Sequence, residues 1–119
     1  MVSATWDELV HGLDDEDRGK LEAYRKLVRS LGGVEERIHS AEIDFAVKRV
    51  FTSAYVKSHW LEIEIDLLRE VTDHPYLRTS FASTKKVFTH RFTLASADQL
   101  KSLEDLLVEA RDTVGPGTR

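Results

Sequence analysis

Two periods divide this chain. Apolar residues recur at helical spacing up to Gly33, alternate one by one from Ile43 to Leu94, and return to helical spacing after Ser96. In the first part Leu21, Tyr24, Val28 and Leu31 share one helix face. Asp14, Asp15, Glu16 and Asp17 supply a cap and a negative first turn, which the positive end of a helix favours. Gly32-Gly33 ends this helix, because glycine takes the left-handed conformation after a helix without penalty. Thr5-Trp6-Asp7-Glu8 reads as a capping box that opens an earlier, short helix ending near His11.

In the middle region Ile43, Phe45 and Val47 alternate with Glu42, Asp44 and Ala46. A tight connection at Lys48-Arg49 leads to a second strand from Phe51 to Val56. A turn at Lys57-Ser58-His59 leads to a third from Trp60 to Leu68. In that third strand Leu61, Ile63, Ile65 and Leu67 occupy one face, and Glu62, Glu64 and Asp66 the other. Connections this short permit antiparallel neighbours and exclude helical crossovers. Arg69 to Thr84 reads as a longer connection with a turn at Asp73-His74-Pro75. The last strand runs from Val87 to Leu94, and Val34 to His39 has no period that decides between strand and loop.

Ser96-Ala97-Asp98-Gln99 reads as a second capping box, opening a helix striped with Leu100, Leu103, Leu106, Leu107 and Ala110. Gly115-Pro116-Gly117 should end the order, leaving 115–119 as a flexible tail. The expectation is one α+β domain over residues 1–114. It has two layers: an antiparallel sheet of three or four strands, with N-terminal helices and a C-terminal helix packed on one face. Ile43, Phe45, Ile63, Ile65, Phe92 and Leu94 should meet the helices, while Glu62, Glu64, Asp66, Thr89, Arg91 and Thr93 stay open.

Composition narrows the function classes. A chain of 119 residues suits one domain with its own core, and 41% hydrophobic with 32% charged residues is globular rather than disordered. The net charge of −4 disfavours nonspecific attraction to nucleic acid by the chain as a whole. The absence of cysteine excludes disulfides and thiol catalysis. No apolar run approaches the roughly 20 residues of a membrane span. Asp7 and Glu8 stand where a signal peptide needs a basic start, so a cytoplasmic protein without a membrane partner is expected.

The ordered set AEIDFAV, RVFTSAYVKSHWLEIEIDL and VFTHRFTLASADQL, with the closing helix LLVEARD, resembles an uncharacterised bacterial family, domain of unknown function 5655. The resemblance covers about Leu31 to Asp112 and implies a fold and a bacterial source. That family has no established activity, so no catalytic residue comes with it.

Four residues are candidates for a ligand pocket: His90, Tyr24, Tyr55 and Trp60. His90 falls between Phe88 and Phe92 on the presumed apolar face, where an imidazole serves as an acid or base, or is simply a neutral ring bonded to a backbone carbonyl or to Tyr24. Glu62, Glu64 and Asp66, helped by Glu42 and Asp44, offer oxygens for a hard cation. Alternate strand residues are about 7 Å apart, however, and a solvated face paired with Arg91 accounts for the same pattern. Nucleases of the Asp…Glu-x-Lys kind need a lysine where Glu64 stands. The five histidines show no ligand spacing, and there is no phosphate loop or Gly-x-Ser-x-Gly, so neither a metal nor a cofactor is expected.

A nucleic-acid reading rests on Arg78, Lys85, Lys86 and Arg91, which stand in a stretch without acids among Tyr76, Phe81, Phe88 and Phe92. The leading expectation is a non-enzymatic interaction module that works alone, as a homodimer or with a protein partner. A nucleic-acid binder and a small-ligand binder or enzyme around His90 are the alternatives.

Overall fold

The computed structural model describes residues 4–117. Two helices come first, α1 (Trp6–Val10) and α2 (Asp15–Leu31). Six strands follow: β1 (Glu35–Ile38), β2 (Ile43–Ala46), β3 (Val50–Lys57), β4 (Trp60–Leu67), β5 (Leu77–Ala82) and β6 (Phe88–Leu94). A 3-10 turn, Ala97–Leu103, then runs into α3 (Glu104–Thr113). The strands form one sheet in the order β1-β2-β3-β4-β6-β5, with every neighbouring pair antiparallel.

The α+β class with an antiparallel sheet therefore stands, but the sheet has six strands rather than three or four. The two additions are its edges. β1 is short, and β5 lies inside the segment expected to be a connection; its side chains are intermediate or exposed throughout. An edge strand needs little burial to form, so neither segment shows an apolar period of two.

The helices cover one sheet face. Leu21, Tyr24 and Val28 of α2, with Leu103, Leu107 and Ala110 of the C-terminal segment, pack over Ile43, Phe45, Ile63, Ile65, Phe92 and Leu94, all fully buried. The register shifts between Phe45 and Ala46, giving β3 one residue more than β2 there. Consecutive residues Phe51 and Thr52 are consequently both buried, which strict alternation does not allow. Glu36 of β1 faces α2, where the Arg25 guanidinium grips it with two bonds of 2.7 and 2.9 Å. Arg69, just after β4, grips Glu109 of α3 in the same way, at 2.8 Å twice.

Local signals account for the termini of these elements. Thr5 and Glu8 form the expected capping box, and Asp14 Oδ1 accepts from the Asp17 amide at 2.8 Å. The second expected box does not form: Ser96 makes no capping bond, and the Ala95 amide donates to Gln99 Oε1 instead. Pro75 occupies the turn closed by Leu77 N–H on the His74 carbonyl, 3.2 Å. Gly115, where a tail was expected to begin, is buried, and its carbonyl accepts from Lys48 and Arg49 at 2.8 and 2.9 Å. A side chain there would strike the Arg111 carbonyl and Val47, so close approach requires the glycine. Thr118 and Arg119 lie outside the described residues.

Candidate functional site

The register assigns every strand side chain to a face. Asp44 pairs with Ser53, Ser53 with Glu64, and Glu64 with Arg91, so one row of polar residues crosses the open face. The β4 carboxylates are tied to β6 one by one. Thr93 donates to Glu62 and Thr89 to Asp66, each at 2.7 Å, and Arg91 Nε donates to Glu64 at 2.8 Å. Burial raises the Asp66 carboxyl, although the bond from Thr89 works against it. Each acid has its own partner across the strand pair, so this ladder is a charge-paired surface rather than a shared cage.

The four pocket candidates do not converge. Tyr24 and His90 lie on the covered face, fully buried; Tyr55 and Trp60 belong to the open face, where Trp60 is 46% exposed. His90 Nε2 accepts from the Val71 amide at 2.8 Å and Nδ1 donates to the Ile65 carbonyl at 3.2 Å. Both ring nitrogens are committed to backbone groups, which fixes a neutral tautomer. Tyr24 meets the Thr52 hydroxyl at 3.1 Å. Thr52 already spends its proton on the Glu64 carbonyl, so the phenol must donate. Burial raises the Tyr24 pKa and keeps that proton in place.

The nucleic-acid candidates separate as well. Lys85 and Lys86 are exposed at the β5–β6 turn and Arg78 is exposed on β5, whereas Arg91 is engaged with Glu64 and lies over the Phe81 ring at 5.2 Å. Phe92 is core and unavailable for stacking; Phe81 is 40% exposed.

Among the described residues, two carboxylate–histidine clusters escaped the sequence analysis. The first joins α2 to the β3–β4 turn. Asp17 is buried, accepting from Lys20 Nζ at 3.2 Å through Oδ1 and from His59 Nδ1 at 2.7 Å through Oδ2. Lys20, also buried, donates to the His59 carbonyl at 2.6 Å. Asp14 stands 3.8 Å from the same ring. Burial would raise the Asp17 carboxyl, but the bonds from His59 and Lys20 outweigh it and hold the pKa below the usual value. Ser58 and His59 both have positive φ, 52° and 70°, as a two-residue hairpin turn requires but as side chains other than glycine and asparagine resist. Bonds from α2 to the ring and the carbonyl of His59 hold the turn in that conformation.

The second cluster closes the β1–β2 hairpin. The His39 amide donates to the Glu42 carbonyl at 2.8 Å across the turn, so side chains 39 and 42 flank it, and Asp44 follows Glu42 on the same face. His39 Nε2 donates to Asp44 Oδ2 at 3.0 Å. Asp44 Oδ1 is buried with no hydrogen-bond partner among the described residues. A side-chain hydrogen bond to Asp44, then burial, and then the Asp44 charge push the Glu42 carboxyl up to about 7, with His39 opposing. Arg37 faces Asp44 across the β1–β2 ladder but turns to Glu35, 2.7 Å away. In each cluster one oxygen per carboxylate and one ring nitrogen lie within 4.8 Å of one another.

Sequence spacing alone finds neither group, since Asp17 and His59 are 42 positions apart. The available signal was His39-x-x-Glu42-x-Asp44, which acquires meaning only once β1 is known to be a strand. No family model, curated protein or solved structure matches the chain.

Proposed function

We propose that this protein is a non-enzymatic binding module that offers the open sheet face and the free edge of β5 to a partner. The supporting observation is the pair of exposed aromatics Trp60 and Phe81 on a face whose β4 carboxylates are already bonded in place. Exposed aromatic area on a preordered surface gains from association and loses little side-chain entropy. β5 pairs on one side only, so its outer backbone groups remain for strand addition. A photo-reactive phenylalanine placed at Trp60 or Phe81 should capture a discrete partner or a second copy, while the same probe at Lys101 on the helical side should not. No discrete adduct at either open-face position removes the reading. Sedimentation over a concentration series decides whether the partner is a second copy.

A second reading, nucleic-acid binding, rests on Arg78, Lys85 and Lys86, which make no ion pair among the described residues and share a hairpin with Phe81. Anisotropy titration at low salt against single- and double-stranded DNA and RNA tests it, and absence of binding ends it.

A further inference from the structure

We propose that His39, Glu42 and Asp44 bind one divalent first-row transition ion, for which Zn2+ is the best match, at the closed end of the β1–β2 hairpin. The donors are one imidazole nitrogen and two carboxylates, a set that leaves coordination positions for water or another ligand. The imidazole favours first-row ions over Mg2+ and Ca2+, which take oxygen. Two donors on one tetrahedral zinc lie roughly 3.3 Å apart; His39 Nε2 and Asp44 Oδ2 are 3.0 Å apart, and the Glu42 oxygen falls within the same 4.8 Å set.

The independent observation is Asp44 Oδ1. Asp44 is 9% exposed as a residue and 12% exposed by its side chain alone, and its Oδ1 is buried with no hydrogen-bond donor among the described residues. A buried acceptor without a partner is costly, and a cation held by both oxygens of the Asp44 carboxylate satisfies it. On binding, the ion takes the place of the Nε2 proton that now bridges His39 to Asp44, and the ring keeps its one proton on Nδ1 as a neutral ligand. The Asp14–Asp17–His59 cluster has similar donors but already holds a cation, the Lys20 ammonium, and has no orphaned oxygen. It serves as an internal control.

The test is calorimetric titration of the chelator-treated full chain with ZnCl2, MnCl2, MgCl2 and CaCl2. We expect one Zn2+ per chain with micromolar or tighter Kd, Mn2+ at least tenfold weaker, and no response to millimolar Mg2+ or Ca2+. His39→Gln and Glu42→Gln should each weaken Zn2+ at least tenfold, and His59→Gln should leave its affinity unchanged. Circular dichroism checks that the variants fold. On the unmodified chain, Zn2+ should raise the Tm, and Co2+ should give the visible absorption of a four- or five-coordinate ion. Three results would overturn the proposal: no heat and no Tm change with millimolar Zn2+, Zn2+ affinity unmoved by His39→Gln, or Mg2+ binding as tight as Zn2+.

Discussion

The two carboxylate–histidine clusters use nearly the same side chains and differ in one respect. In the α2 cluster Lys20 places an ammonium against Asp17, and His59 takes the other oxygen, so every polar atom at its centre has a partner. In the β1–β2 cluster, by contrast, two carboxylates face each other beside one ring, and one buried oxygen has none. The first arrangement consumes its charges in holding a strained turn, while the second leaves charge uncompensated at the rim of the open face. Complete pairing marks the structural cluster, and the missing partner marks the one available for chemistry.

Removing the ammonium should bring the first cluster to the condition of the second. Lys20→Met leaves Asp17 buried beside like-charged neighbours, with only His59 to bond it. The variant should lose about 3 kcal/mol by denaturant unfolding, a part of which added Zn2+ should restore. A cost near zero would mean that Lys20 contributes little and that the contrast between the clusters is not energetic.

The same substitution should have opposite signs in the two places. Asp17→Asn removes the counter-ion of a buried lysine and should cost about 2 kcal/mol. Asp44→Asn removes one of two facing carboxylates and supplies an amide that can donate to Glu42. In the presence of chelator it should be neutral or stabilising, by up to about 1 kcal/mol. Matched thermal melts compare the two. A loss at Asp44 equal to that at Asp17 would show that its orphaned oxygen is in fact satisfied.

Part of this contrast is readable in the sequence. The run Asp14 to Asp17 announces a helix start, and the cap and helix form as expected. That Asp17 turns inward toward residue 59 depends on how α2 lies over the sheet, which no local pattern encodes. The central strands were legible because one face of each is buried: Leu61, Ile63, Ile65 and Leu67 alternate with acids on an open face. β1 and β5 were not, because edge strands bury too little to show a period. His39, Glu42 and Asp44 depend on one of those edges, so the candidate metal cluster was hidden with it. His90 was correctly placed on the apolar face, but its partners, the Val71 amide and the Ile65 carbonyl, are backbone groups that sequence does not specify.

The clusters should also respond oppositely to pH. Asp17 has a lowered pKa, so its contribution is present above the unfolded carboxyl range, near pH 4, and is lost as pH falls through the folded value. Glu42 is raised to about 7, so its contribution is complete below the unfolded pKa, near 4, and is lost as pH rises through 7. In chelator, Glu42→Gln should therefore gain on the wild type between pH 5 and 8 by about 1 kcal/mol or less, allowing for solvent screening of a partly exposed group. Thermal midpoints across that range measure it. A difference that does not vary with pH would mean that Glu42 is ionised throughout, and would bring the two clusters closer together than their geometry suggests.

The smallest effect belongs to the exposed ladder, which separates pairing from burial. Glu64 and Arg91 meet at 2.8 Å, closer than the 3.0 Å between His39 and Asp44, yet the Arg91 and Glu64 side chains are 55% and 34% exposed. Water already solvates both charges, so the pair gains little and ordering two long side chains offsets part of it. Arg91→Ala should cost a few tenths of a kcal/mol, falling further as salt is added. Denaturant unfolding at low and high ionic strength reads both quantities. A loss above about 1 kcal/mol would show that stacking of the guanidinium on Phe81 gives this row a structural role. A few tenths would leave Arg91, with Trp60 and Phe81, as surface that the fold does not require and that a partner can use.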